Sequence, residues 1–163
     1  MEIREAREED AAAIVALIDQ VALQDETLGL DRYPGGATQL RQQIAETPPE
    51  ASAFLVAADE GAVIGYAFVG RYVTPSLSHV GVLSIVVDPG HRRTGTGRRL
   101  MQRGEAWARA AGVRKLTLSV LATNRAGRAL FSACGFEDEA VRKGQLRVGS
   151  AFLDEVLMVR WLT

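Results

Sequence analysis

The sequence predicts an α/β fold: one domain over residues 1–163, with a mixed, mostly antiparallel sheet of about seven strands flanked by about four helices. Three observations lead there. Short runs of alternating apolar residues interleave with longer runs whose apolar residues recur every three or four positions. Two turn signals, Asp59-Glu60-Gly61 and Gly149-Ser150, each lie between strand-like runs and predict antiparallel hairpins. Val80 to Val87 is almost wholly apolar and leads directly into a glycine-bearing loop and a long helical pattern.

In chain order, Glu2 to Arg7 is short and mixed, as suits an edge strand. Glu8-Glu9-Asp10 puts acid where a helix N-terminus favours it, and Ile14, Leu17, Ile18 and Val21 follow at helical spacing, predicting a helix over 10–23. The pattern stops between Gln24 and Gly36, where Tyr33-Pro34-Gly35-Gly36 is loop chemistry. A more polar helix is expected over 37–46, ended by Thr47-Pro48-Pro49. Ala53 to Ala58 and Ala62 to Val73 are the strands of the first hairpin. Val80 to Val87 has the composition of a strand covered on both faces. Gly97, Leu100, Met101, Gly104, Trp107, Ala108 and Ala111 share one face of the next helix, with arginines opposite and Gly112 as cap. Leu116, Leu118 and Val120 alternate on a strand, Asn124 to Cys134 forms a short helix stopped by Gly135, and 136–148 and 152–162 are the closing strands.

Composition narrows the function. A formal net charge of −1 lacks the basic excess of a general nucleic-acid or membrane-surface binder, so neither partner is expected. The single Cys134 excludes an internal disulfide and fits a reducing compartment. The charged start Met1-Glu2-Ile3-Arg4-Glu5 has no signal-peptide core, and no apolar run approaches the roughly 20 residues of a membrane helix, so a cytoplasmic location is expected.

The functional signal lies from Ile85 to Met101. A buried strand enters a loop carrying Arg92, Arg93, Gly95, Gly97 and Arg98, and the loop opens a helix. Free N–H groups at a helix start, glycines that admit close approach, and arginines together suit a phosphate or pyrophosphate. A Walker A loop is excluded because no Gly-Lys-Ser/Thr triplet occurs. The dinucleotide fingerprint needs glycine where Leu100 stands. A bare Gly-x-Gly is also an ordinary mark of close helix–strand packing.

Arg92-Arg93-Thr94-Gly95-Thr96-Gly97, after Val87-Asp88-Pro89, resembles the acyl-CoA motif Arg/Gln-x-x-Gly-x-Gly/Ala of the GNAT superfamily of acetyl-CoA-dependent N-acetyltransferases. The segments downstream are similar in order too: Trp107 to Val113 at the end of the central helix, Leu118 to Asn124 along the fifth strand, Leu130-Phe131-Ser132-Ala133-Cys134-Gly135-Phe136-Glu137, and Asp154 to Met158 on the last strand. The resemblance runs from about His79 to Met158 and fades before it. It implies a splay between the fourth and fifth strands, with acetyl-CoA as co-substrate and no metal. Ile85, Val86 and Val87 would border the pantetheine, and Ile85 and Val87 would offer it backbone groups. Arg92, Arg93, Thr94, Gly95, Thr96, Gly97 and Arg98 would hold the pyrophosphate. Asn124 would meet the pantetheine arm or fix the splay, unless it is simply a helix N-cap. Phe131 would lie beside the thioester.

The implied reaction is direct attack by the primary amine of a small molecule or peptide. Many relatives use a glutamate base on the fourth or fifth strand, and Gly81 and Ser119 stand at the matching places. Phe131 stands where many relatives carry a tyrosine acid. His79 is then the nearest titratable candidate for proton relay, with an ordinary pKa near neutrality. His91 is expected to be structural and Cys134 a small core residue, while Glu155, Asp154, Asp25 and Glu26 are expected to be solvated charges. With base and acid both missing, a non-catalytic acyl-CoA-binding sensor or partner domain is the alternative. Acceptor choice is expected to reside in 10–46 and the turn at Gly149. Edge strands at both ends of the sheet leave a homodimer open.

Overall fold

The first hairpin closes between Asp59 and Ala62, with Glu60 and Gly61 at φ of 48° and 85°, the type I′ sense that matches the twist of its strands. The computed structural model describes residues 1–25 and 32–163, Asp25 by its backbone alone. The elements are β1 (Glu2–Glu5), α1 (Ala11–Asp25), α2 (Gly36–Glu46), β2 (Ser52–Asp59), β3 (Ala62–Arg71), β4 (Val80–Val87), α3 (Thr96–Ala110), β5 (Lys115–Leu121), α4 (Arg125–Ala133), β6 (Glu137–Val148) and β7 (Ala151–Trp161). All seven strands join one sheet in the order β1-β2-β3-β4-β5-β7-β6. Only the β4–β5 pair is parallel. The predicted α/β architecture is therefore present, with helices on both faces. No helix among the described residues is long and apolar enough to cross a membrane.

Strand alternation divides the core into two layers. Leu55, Ala67, Val69 and Leu83 pack with Leu100, Leu116, Phe131 and Met158 on the α3 side. Val56 and Tyr66 pack with Ile14, Leu17, Val21 and Leu40 on the side of α1 and α2. Leu100 and Met158 are fully buried, each worth about 1.5–3 kcal/mol of transfer from water. α3 is close-packed because Gly104 has no side chain: a Cβ there would stand 3.2 Å from Leu83 Cδ1.

The sheet parts at its centre. β4 and β5 pair only at Val80–Lys115, Gly81–Leu116 and Val82–Thr117. Beyond that, β4 stays in register with β3 up to Val87–Gly65, while β5 follows β7 up to Leu121–Glu155. This is the implied splay. It also corrects the expectation that Val80 to Val87 is covered on both faces. Ser84 is exposed and Ile85 to Val87 are half-buried, because this half of the strand borders a cleft.

One ion pair joins the sheet edge to the turn that leads into α1. Arg4 donates to both carboxylate oxygens of Asp10, at 2.6 and 2.9 Å, and the Arg7 N–H donates at 2.7 Å. These bonds, led by that from Arg4, hold the Asp10 pKa below its ordinary 3.8. A depressed carboxylate stabilises the fold above its unfolded pKa, and the benefit is lost as pH falls through the folded value. Asp10→Asn should therefore lose about 1–3 kcal/mol at pH 7. It should also flatten the stability loss below about pH 4. Urea titrations at pH 7 and pH 3 check both, and an unchanged acid limb would assign that limb to other carboxylates.

Candidate active site

The cleft is framed by an unpaired strand edge. Tyr72 N–H donates to the Val80 carbonyl, and Asp88 N–H donates to the Ile64 carbonyl, so the even-numbered backbone groups of β4 face β3. By the two-residue period, Gly81, Leu83, Ile85 and Val87 direct their N–H and C=O groups toward β5. The Gly81 carbonyl accepts from Thr117 Oγ1 at 3.1 Å, in agreement. Past the Val82–Thr117 pair, which uses the Leu83 N–H, the outward backbone groups of Ile85 and Val87 have no strand opposite. The Val87 carbonyl is partly used by Arg92 Nε at 3.4 Å.

The loop after β4 is wound to point its amides outward. Arg93 and Gly95 both have positive φ, 65° and 87°, and alternating backbone of this kind forms a concave nest of N–H groups. Glycine at 95 removes the steric cost there. The first bond of α3 runs from Arg99 N–H to the Gly95 carbonyl, leaving the amides of Thr96, Gly97 and Arg98 as the free start of the helix. Gly97 is needed for packing as well: a Cβ there would stand 2.8 Å from Leu130 Cδ2. The packing and ligand readings of Gly-x-Gly thus coincide at one residue.

Two cavities open from the cleft. One, of about 490 Å³, lies between the end of β4, the arginine loop and α4, and includes Arg92, Arg93, Gly95, Gly97 and Arg98. The other, of about 590 Å³, lies on the α1–α2 side, under Phe54, Tyr66 and Phe68 and beside Ser84, Ser119 and Glu155. Ile85, Val86, Asn124 and Phe131 line both. These four residues form the neck between an arginine-rich chamber and an aromatic one.

Most of the sequence-predicted cofactor residues meet at the first chamber. Thr94 and Thr96 do not line it: Thr94 Oγ1 donates to the His91 carbonyl, and the Thr96 hydroxyl, 1% exposed, turns inward toward Thr94 and Met1 Sδ. Asn124 Oδ1 accepts from Gly127 N–H at 2.8 Å, so the asparagine is an N-cap and a lining residue at once. Val21, Ala126, Gly127, Ala129 and Leu130 also line this chamber and were missed. The available signal was the run of small residues just after Asn124, which lets a ligand approach a helix closely.

His79 is the main correction. It is exposed in the turn before β4, at the paired end of the sheet, and lines neither chamber. Six residues of strand separate it from Ile85, about 20 Å at roughly 3.3 Å each. Gly81 is corrected too, for a Cβ there would point at Val113 and Leu116 in the α3 layer, away from the aromatic chamber. The β4 and β5 side chains nearest that chamber's opening are Ser84 and Ser119, both exposed. His91 Nδ1 lies 2.7 Å from Asp88 Oδ2, a loop-holding contact. Asp154 accepts from Gly144 N–H and Lys143 Nζ, which lower its pKa and hold it to β6. Burial pushes the Cys134 thiol up, so it is no ready nucleophile. Glu26 and the Asp25 side chain lie outside the described residues.

The sequence comparison agrees with this geometry. Residues 16–136 match the model of the acetyltransferase (GNAT) family. The chain belongs to the GNAT family. It is an acyltransferase, and relatives along most of its length are named N-acetyltransferases. Phosphinothricin N-acetyltransferase of Alcaligenes faecalis is 28% identical over 161 residues, 97% of this chain and 81% of that protein. Acetyl transferase GW6a of Oryza sativa subsp. japonica is 35% identical over 63 residues, which span 39% of this chain and only 15% of the longer rice protein. Among solved structures, yncA from Salmonella typhimurium with its cofactor acetyl-CoA superposes with a TM-score of 0.90 at 25% identity, covering 100% of this chain and 94% of that one. Among the described residues, no cluster of metal-ligating side chains accompanies the fold.

Proposed function

We propose that this GNAT protein transfers acetyl from acetyl-CoA to a primary amine, which enters from the aromatic chamber and attacks directly at the neck. The observation that carries this reading is the sharing of Ile85, Val86, Asn124 and Phe131 by two chambers of opposite character. The residues present fit acetyl-CoA. The Arg93–Gly95 nest, the free amides at the start of α3 and the Arg92, Arg93 and Arg98 side chains would take its phosphates. The open edge at Ile85 and Val87 would take the pantetheine amides, with Asn124 beside the same arm. The co-substrate supplies an acyl carbon activated as a thioester.

The chain's own residues then orient and desolvate. Phe131, 7% exposed and packed against Phe136 at 6.3 Å between ring centroids, closes one wall of the neck. The backbone N–H of the β4 edge donates to the thioester oxygen, an oxyanion-type contribution. Proton transfer is not routed through His79. The Ser84 and Ser119 hydroxyls flank the gap and pass the ammonium proton toward water in the open chamber. Phe131 carries no donor, so the departing thiolate takes its proton from water.

Thiol release from acetyl-CoA in the presence of an amine panel, with mass spectrometry of the product, tests the reaction. N-acetylated product above the hydrolysis blank is expected; thiol release that no amine stimulates would overturn the reading. Two variants test the parts. Arg98→Ala should weaken CoA by about tenfold to a hundredfold in calorimetry while sparing phosphate-free pantetheine fragments, since it removes a charge-assisted contact. Equal loss for the fragments would make Arg98 structural. Phe131→Tyr should change kcat by at most on the order of tenfold, well short of the 10²–10⁴ a positioned acid can give, because water already serves. A hundredfold rise with saturating acceptor would show that thiolate protonation limits the native enzyme.

A further inference from the structure

The aromatic chamber is unusually specific in what it lacks and what it offers. Its walls come from Ile18, Tyr33, Phe54, Tyr66 and Phe68, with Leu146 over the mouth. Phe54 and Phe68 pack at 5.3 Å between centroids with a 57° tilt, a fixed apolar surface rather than a loose one. Burial pushes the Tyr66 and Tyr33 phenols upward, so both stay neutral near pH 7. Among the described residues, Glu155 is the one charged side chain lining this chamber. It stands on β7 opposite Leu121, on the same sheet face as Ser119. Its side chain is only 15% exposed. Arg142 Nη1 donates to Oε2 at 3.1 Å, and Oε1 has no partner among the described residues.

We infer that the acceptor is a monoamine on a short chain bearing an uncharged aromatic or aliphatic body, and that Glu155 selects it by receiving its ammonium on Oε1. The inference rests on the acetyltransferase reading of the same site. An apolar body of this kind buries against Phe54 and Phe68, where each Å² of apolar contact is worth roughly 25 cal/mol. An acceptor carrying a carboxylate beside its amine would bring an anion among apolar walls and toward Glu155, with no cation lining the chamber among the described residues to meet it. A polyamine or polycationic aminosugar would bring second and third ammonium groups to a chamber lined by one carboxylate among the described residues, and they would gain no ionic partner there. Arg142 does not cancel this selection. It occupies Oε2 and leaves Oε1 without a partner among the described residues.

Glu155 is here a specificity-determining residue, so its removal should act on acceptor binding. The test compares phenethylamine, phenylalanine and spermidine as acceptors by thiol release at saturating acetyl-CoA, and measures phenethylamine binding to the CoA-loaded protein by calorimetry. Phenethylamine should exceed both others in kcat/KM by at least tenfold. Glu155→Gln should raise its KM and Kd at least tenfold, with the Kd for acetyl-CoA unchanged. Phenylalanine or spermidine used equally well would overturn the inference, as would an unchanged KM in the variant. If acetyl-CoA binds but no amine releases thiol, the acetyl-transfer reading fails, and calorimetry still decides this one. Phenethylamine binding that Glu155→Gln weakens tenfold supports it; absent or unaffected binding overturns it. Circular dichroism of the variant, with Glu155→Asp expected to recover part of the affinity, separates selection from a folding defect.

Discussion

Everything distinctive about this protein depends on three hydrogen-bonded residue pairs being where the β4–β5 ladder stops. β5 has two possible partners and keeps full register with only one, β7, from Lys115 to Leu121. β4 keeps its register with β3 over the same length. Between them, the outward backbone groups of Ile85 and Val87 are left without a strand, although unpaired backbone in a sheet centre is costly if water cannot reach it. The cleft is thus both the reason those groups tolerate being unpaired and the reason a ligand with amides of its own can replace the missing strand. The loop, the helix start and α4 add charge and shape around an opening that the sheet has already made.

The order of the elements was legible in the sequence because periodicity carries it. β4 was placed at its observed bounds, and Ile14, Leu17, Ile18 and Val21 form the buried face of α1 as their spacing requires. The arginine loop was legible as well, since glycine and arginine types report backbone shape and charge directly. What the sequence could not show was which side of a strand meets which ligand. His79 and Gly81 lie near the functional segment along the chain, but position along the chain does not say which face a residue presents. In the sheet the odd side chains of β4 face α3, whereas the even ones, Ser84 and Val86, face the aromatic chamber. A one-residue change of parity exchanges faces completely, so pairing partners and helix placement must be known before a strand residue can be assigned to a site. Glu155 was passed over for a related reason. Its partner Arg142 lies on a neighbouring strand, and a charge held by β6 looks solvated when only the sequence around it is read.

Small residues were the other blind spot. Ala126, Gly127 and Ala129 carry no functional group, so they attract no attention in a search for chemistry. Their contribution is to let the α4 backbone approach, just where Asn124 caps it through Gly127. Gly127 could not be replaced cheaply, because a Cβ there would stand 2.8 Å from Asn124 Nδ2. Cap, ligand wall and helix start are therefore one structural unit, and reading Asn124 as either a cap or a ligand contact sets up a false choice.

The charge arrangement comes from the same parting of the sheet. The arginine-rich chamber gathers helix-start amides and arginines, while the aromatic chamber is lined by one carboxylate among the described residues, and Ile85, Val86, Asn124 and Phe131 lie between them. Such a neck raises the effective strength of any dipole directed into it, since few mobile charges or waters remain to screen it. It also favours the neutral amine over the ammonium at the point of attack, because moving a charge out of the wetter aromatic chamber into the neck costs desolvation. On the proposed reading, an acceptor docked as ammonium on Glu155 would shed its proton before it advances, and Ser84 and Ser119 are exposed side chains lining that chamber. The absence of a glutamate base on β4 or β5 is then less of a defect than the sequence suggests. Where the neck itself discriminates against the charged form, the proton needs only a route to water, and the sheet's opening supplies one.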